Sequence, residues 1–200
     1  MTRREAAPKG RYSILAVGAS WGGVEALSQL VATIPTKWSM PIVIVQHQHA
    51  LSGTALETIL SRLTSLEVVD VEDKQLIRPG HIYIAPANYH LLVESDKSFS
   101  LSLEAPVLYS RPSIDVTFRS LAEVYGEKCI AVLLTGANED GVDGLRQVQA
   151  QGGYTLAQDP QEAIAPTMPL TAIKAGVVNK VVLLRNIIPE LNTLLSGGKN

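Results

Sequence analysis

Cysteine is nearly absent from this chain of 200 residues: Cys129 stands alone, so no internal disulfide can close a loop. Its position ahead of the apolar run 130–134 marks it as a small buried hydrophobe. No apolar stretch approaches the roughly 20 residues that span a bilayer. Residues 1–11 are basic and polar and lack the apolar segment of a secretory signal. A cytoplasmic chain without membrane insertion is expected. Charge of one sign is not in excess either, since 17 basic and 19 acidic residues give a net charge of −2. That balance leaves no electrostatic footprint for nucleic acid. Neither G-K-[ST] nor G-x-G-x-x-G occurs, and Ser20 stands where the second glycine of the dinucleotide motif belongs. H-E-x-x-H and cysteine ligand sets are missing too, so no metal or other cofactor is expected.

What is present gathers around Gly18-Ala19-Ser20-Trp21-Gly22-Gly23. The segment follows a short apolar strand, 13–17, and opens a run in which Val24, Leu27, Leu30 and Val31 share one helical face. A strand that turns sharply into a helix exposes the side chain at its corner. Glycines on either side let the backbone turn, and the Ser20 hydroxyl then faces a helix N-terminus. Glycine-rich corners also cradle phosphate. Here the missing nucleotide motifs, and a next strand ending in Gln46-His47 in place of an acidic ribose ligand, favour a nucleophile.

Pro41 leads into the β-branched run 42–45, a strand of the kind covered on both faces. A helix follows, with Thr54 or Ser52 at its start and Leu56, Ile59, Leu60 and Leu63 on its apolar side. Strands around 68–71 and 81–85 precede an antiparallel hairpin, 90–94 with 99–103, about Ser95-Asp96-Lys97. Ser113 caps a helix that Gly126 ends. A second apolar strand, 129–134, runs into Thr135-Gly136-Ala137-Asn138-Glu139-Asp140-Gly141. Helix (142–150), strand (154–157), helix (166–175), strand (177–182) and helix (187–195) then alternate. Such alternation with short connections predicts an α/β fold: a doubly wound, mostly parallel sheet with helices on both faces, from which the antiparallel hairpin is an excursion. Residues 12–200 read as one domain behind a flexible tail, 1–11.

In doubly wound sheets the working groups lie beyond the carboxyl ends of the strands. Three apolar strands lead there to Ser20, His47 and Asp140. A serine is a poor nucleophile near neutral pH, so an imidazole must take its proton and a carboxylate must orient that imidazole. Each member has a rival. His49 competes with His47, whereas His81 and His90 begin strands and so fall on the opposite edge. Asp115 and Asp143 compete with Asp140, and either also suits a helix N-terminus as a charge its dipole favours. His47 and His49 with Asp140 and Asp143 also allow a metallohydrolase, which the missing ligand motifs disfavour.

In these strings the chain resembles the catalytic domain of the chemotaxis protein-glutamate methylesterases, the CheB family. The likeness runs from about Ile14 to Val182. It rests on Gly18-Ala19-Ser20 with Gly22-Gly23, on Val45-Gln46-His47, and on Pro79-Gly80-His81-Ile82-Tyr83-Ile84-Ala85-Pro86. It continues through Arg111-Pro112-Ser113-Ile114-Asp115, Leu133-Leu134-Thr135-Gly136 with Asp140-Gly141, and Ala157-Gln158-Asp159 followed by Met168-Pro169. The resemblance implies a serine hydrolase that demethylates glutamate methyl esters on the cytoplasmic helices of methyl-accepting chemotaxis receptors, releases methanol, and also deamidates receptor glutamines. The family's catalytic serine, histidine and aspartate fall on Ser20, His47 and Asp140. The family commonly carries an N-terminal receiver domain; here only the tail stands in that place. The chain is therefore expected to be either a stand-alone enzyme, not regulated in cis and open to a receiver-domain regulator in trans, or a catalytic fragment.

Departures from the family pattern cluster at the site. Trp21 replaces a threonine and adds bulk at the mouth. The family's oxyanion-binding backbone N–H falls on Ala137, which keeps it. Asn138 replaces a glycine, a change that is tolerable wherever the position requires a left-handed conformation, because asparagine visits it more readily than most residues. Glu139 adds a charge beside Asp140, expected either to raise the pKa of one of the two carboxylates or to repel an acidic product, and His49 replaces a proline. Trp21, Tyr109 and Arg111 are candidates to line a groove for a helix. Two further readings stand beside the methylesterase: a receptor- or partner-binding module with catalysis weakened by Trp21 and Glu139, and a small-molecule esterase.

Overall fold

The computed structural model describes residues 12–48 and 54–196. The predicted tail, 1–11, and the candidate positions His49 and Ser52 lie outside those residues. In chain order the strands are β1 (Ile14–Ala19), β2 (Ile42–Gln46), β3 (Glu67–Asp70), β4 (His81–Ile84), β5 (His90–Val93), β6 (Phe99–Ser102), β7 (Cys129–Leu133), β8 (Tyr154–Gln158) and β9 (Lys180–Val182). The helices are α1 (Gly23–Ala32), α2 (Ala55–Ser61), α3 (Ile114–Tyr125), α4 (Val142–Ala150), α5 (Thr167–Lys174) and α6 (Ile187–Leu195).

Seven of the strands form one sheet in the order β3-β4-β2-β1-β7-β8-β9, with every neighbouring pair parallel, while β5 and β6 pair antiparallel as a separate hairpin. The expected doubly wound architecture is therefore present, hairpin included. Alternation along β1 explains both layers. Leu15, Val17 and Ala19 enter a core with residues of α1, α2 and α6, and Ile14 and Ala16 enter a second core with residues of α3, α4, α5 and the hairpin. Cys129 belongs to the second core, where burial pushes its thiol up to about 12. It is a packing residue without thiolate chemistry.

From β1 the chain moves to β2 on one side and returns to the other side of β1 only with β7. This reversal opens a crevice above the carboxyl ends of β1 and β7, where α/β sheets hold their ligands.

Three local expectations are corrected. Val24 is exposed and Ala26 takes its place on the buried face of α1, because the helix starts at Gly23 and its seam runs Gly23, Ala26, Leu27, Leu30, Val31. On α2 only Leu56 and Leu60 are buried, one seam of a short helix, and Ile59 and Leu63 face solvent. The last strand begins at Lys180, not at 177: Val177 turns into the core and Asn179 accepts from the Thr155 backbone N–H and hydroxyl.

Gly144 lets α4 lie against α3, since a Cβ there would stand 2.6 Å from Phe118 Cβ. Gly144→Ala is predicted to destabilise the fold by roughly 1–3 kcal/mol through overpacking. Thermal denaturation is the check, and an unchanged midpoint would mean that the two helices separate freely.

Candidate active site

Ser20 occupies the corner between β1 and α1. The Ser20 backbone N–H donates to Thr135 O at 2.9 Å, and its carbonyl accepts from Gly23 N–H at 2.8 Å and from Gln46 Nε2 at 2.9 Å. Gln46 Nε2 also donates to His47 O at 2.9 Å, so one buried amide ties the serine corner to the end of β2. Two glycines make room for the corner. Gly22 has φ 79 at the start of α1, and a Cβ on Gly136 would lie 3.0 Å from Ser20 Cβ and 2.3 Å from Met168 Cε.

His47 follows β2 and reaches across to both partners. Its Nδ1 is 3.0 Å from Ser20 Oγ and its Nε2 is 2.7 Å from Asp140 Oδ2. An ionised carboxylate only accepts, so Nε2 carries the hydrogen and the Nδ1 lone pair faces the serine hydroxyl. The ring is thus turned relative to trypsin-like proteases, where Nε2 meets the serine. His47 is 12% exposed and Asp140 0%.

Asp140 sits on the N-terminus of α3. Its Oδ2 also accepts from Ile114 N–H at 2.7 Å, and its Oδ1 accepts from Ser113 Oγ at 2.9 Å and Asp115 N–H at 3.0 Å. Burial alone pushes this carboxyl up. The His47 hydrogen bond, the Asp115 and Ile114 N–H groups and the His47 charge outweigh burial and hold it below the usual carboxylate range. The expectation that Glu139 raises a carboxylate pKa is overturned for Asp140. Asn138 does not adopt a left-handed conformation; its Oδ1 accepts from Asp140 N–H at 3.2 Å, an Asx turn that aims the aspartate.

Asp115 returns the favour to α4. Its Oδ1 accepts from Gly141 N–H at 2.9 Å and Gly144 N–H at 2.6 Å. The aspartate preceding α4 caps α3, and the aspartate in the first turn of α3 caps α4. Burial pushes Asp115 up to about 6; the Gly144 hydrogen bond opposes this, while the Asp140 and Asp143 charges add to it.

The rival residues go elsewhere. Asp143 is exposed, paired with Arg119 and Arg146. His81 pairs with Glu67 near the start of β4. His90 is not on the opposite edge of the main sheet, because β5 lies outside that sheet. It is buried beneath Ser113, accepting from the Ser113 N–H through Nδ1 at 3.2 Å and donating through Nε2 to Ala105 O at 3.1 Å. Among the described residues no cluster of three or more His, Cys, Asp and Glu suits a metal ion.

Two clefts of about 640 Å³ each meet at Ser20 and His47. Trp21, Val24 and Ala137 line one; Tyr109, Ser110 and Asn138 line the other. Trp21 is 70% exposed and Tyr109 102%. Arg111 borders the second cleft, but its Nη1 donates to Leu103 O and Glu104 O, both at 3.0 Å, so it braces the loop. Among the described residues, no hydrogen bond engages the Trp21 or Ala137 backbone N–H. Sequence reasoning missed Gln46 as the tie between the two strand ends and Ser110 as a neighbour of the imidazole; the first is signalled only by a polar residue closing an apolar strand, the second by nothing local.

A hydroxyl, an imidazole and a carboxylate in line at the switch crevice of a doubly wound sheet define the class as an α/β protein with a serine-hydrolase arrangement. The CheB methylesterase family profile matches residues 15–191, and the chain belongs to that family. A Leptospira interrogans chain, named provisionally a protein-glutamate methylesterase/protein-glutamine glutaminase, is 44% identical over 88% of this chain and 91% of its own length. Protein-glutamate methylesterase FrzG of Myxococcus xanthus is 36% identical over 92% of this chain, which spans only 55% of that relative. The crystal structure of the Thermotoga maritima CheB methylesterase catalytic domain matches with a TM-score of 0.88 at 32% identity, covering 92% of this chain and 99% of that one.

The raised Asp115 pKa has a definite sign in stability. A carboxyl whose folded pKa exceeds its ordinary 3.8 favours the fold when protonated; that stabilisation is complete below about pH 4 and is lost as pH rises through about 6. A gap of about two pH units corresponds to on the order of 3 kcal/mol. Asn at this position keeps an acceptor for Gly141 and Gly144 but cannot ionise. Asp115→Asn is therefore predicted to gain stability relative to the parent between pH 4 and 7, read as the difference in thermal midpoints. A difference that does not change with pH would contradict it.

Proposed function

We propose that the chain is a protein-glutamate methylesterase that also acts as a protein-glutamine glutaminase, working in the cytoplasm on the helices of methyl-accepting chemotaxis receptors. The observation that carries this reading is the line from Ser20 Oγ through His47 to Asp140, 3.0 Å and 2.7 Å, in a chain of the CheB methylesterase family.

In this reaction Ser20 Oγ attacks the side-chain carbonyl carbon of the methyl ester and His47 Nδ1 takes the hydroxyl proton. Asp140 fixes the Nε2–H tautomer and stabilises the imidazolium. Trp21 and Ala137 both line the first cleft, and their backbone N–H groups are the donors for the oxyanion. His47 then gives its proton to the departing methoxide, or to the departing side-chain amide nitrogen of a glutamine, and methanol or ammonia leaves. Water hydrolyses the acyl-enzyme through the same base. The open clefts and the exposed Trp21 and Tyr109 suit a macromolecular substrate laid over the site, and the same openness gives a small activated ester access to Ser20.

Ser20→Ala is predicted to lower methanol release from methylated receptor by several orders of magnitude while leaving the thermal midpoint within a few degrees. Turnover equal to the parent would remove Ser20 from the reaction, and receptor binding without methanol release by the parent would favour the binding-module reading.

A further inference from the structure

His47 has a second hydroxyl neighbour. Ser110 Oγ is 3.3 Å from the same Nδ1 that faces Ser20. A neutral imidazole offers one lone pair there, so the two hydroxyls cannot both donate to it at once. The backbone around Ser110 is held at some cost. Val107 and Ser110 exchange hydrogen bonds at 3.1 Å and 2.8 Å across a two-residue turn. Its central residues, Leu108 and Tyr109, have φ of 45 and 64. A turn with both central residues left-handed selects Asn and Gly, and bulky side chains there are strained. On the other side, Arg111 anchors the loop through its two carbonyl contacts. The strain leaves Tyr109 in solvent and directs Ser110 at the base.

We propose that Ser110 is a catalytic residue for the second half of the reaction: it positions the water that hydrolyses the acyl-enzyme. The inference rests on the serine-hydrolase reading above. In the free protein Ser20 Oγ–H occupies Nδ1. Once Ser20 is acylated it has no proton to donate; the 3.3 Å contact with Ser110 is long for an O–H donor, and water takes the lone pair. A water that donates one hydrogen to Nδ1 lies within reach of Ser110 Oγ, which accepts the other and leaves an oxygen lone pair for the acyl carbon. The water oxygen bonds to that carbon, its proton passes to Nδ1, the bond to Ser20 Oγ breaks, and Nδ1 returns the proton to Ser20. The free acid and the hydroxyl are regenerated with no other reactant. Ser110 contributes little to acylation, in which Ser20 is its own proton source.

The test separates the two halves with p-nitrophenyl acetate under rapid mixing, with mass spectrometry of the acetyl adduct. Ser110→Ala is expected to release nitrophenol in a burst near one per chain, at an acylation rate within about 3-fold of the parent. Steady turnover should fall about 10-fold or more as acetyl-Ser20 accumulates, less than the roughly 100-fold or more of a group that itself transfers the proton, because Ser110 only places the water. Ser110→Thr should restore turnover. If alanine unfolds the loop, Ser110→Cys, a poor hydrogen-bond acceptor of similar size, should show the same split. Equal loss of both steps, or unchanged deacylation, would overturn the role of Ser110 alone. A parent that forms no acetyl-Ser20 would overturn the serine-hydrolase reading as well.

Discussion

One buried carboxylate organises this molecule. Asp140 is fully excluded from solvent, yet its pKa lies below the ordinary value, because four donors meet its two oxygens. Taking an ion out of water costs several kcal/mol, and only near-complete hydrogen bonding with a favourable field offsets it. The field here comes from the N-terminus of α3. Three chain segments must therefore meet: the loop after β7 that carries the charge, the first turn of α3 that caps it, and the end of β2 that brings the imidazole. The same contact closes the fold and orients the base.

The reciprocal position of Asp115 extends the constraint to α4. Each helix start is capped by a carboxylate from the other's segment, so neither can shift without stripping donors from both aspartates. The two charges do not behave alike. Asp140 gains the His47 hydrogen bond and stays low, while Asp115 lacks such a partner and is lifted by burial. The floor of the site is rigid for this reason, with Gln46 and Thr135 holding the serine corner from the other side. The rim is different in kind: Trp21 and Tyr109 stand in solvent, and the backbone at Leu108 and Tyr109 is strained. The floor of the site is thus packed and hydrogen-bonded, and its rim is aromatic and exposed.

Much of this was legible along the chain. Apolar runs at β1, β2 and β7, each ending beside a polar group, place Ser20, His47 and Asp140 at one rim by the period of two and the rule of parallel crossovers. Short-range codes were legible too: Ser113 caps α3, Gly126 ends it, and the turn at 95–97 joins β5 and β6. Other features were not. His90 begins a strand, as expected, but that strand pairs outside the main sheet, so the edge on which it was placed does not exist for it. Val24 and Ile59 have the spacing of buried residues and yet face solvent, because which seam a short helix buries depends on its angle to the sheet.

The sequence by itself determined which elements form, their parallel arrangement, and the residue types at the three strand ends, since these follow from side-chain period, glycine freedom and helix caps within a few residues. Tertiary structure alone decided that the imidazole meets serine through Nδ1 and aspartate through Nε2, that Asp115 and Asp140 exchange helix caps, and that Ser110 stands beside the base. Those are through-space relations of an ångström or less in tolerance between segments tens of residues apart. They are set by how whole helices pack, and no local pattern encodes them.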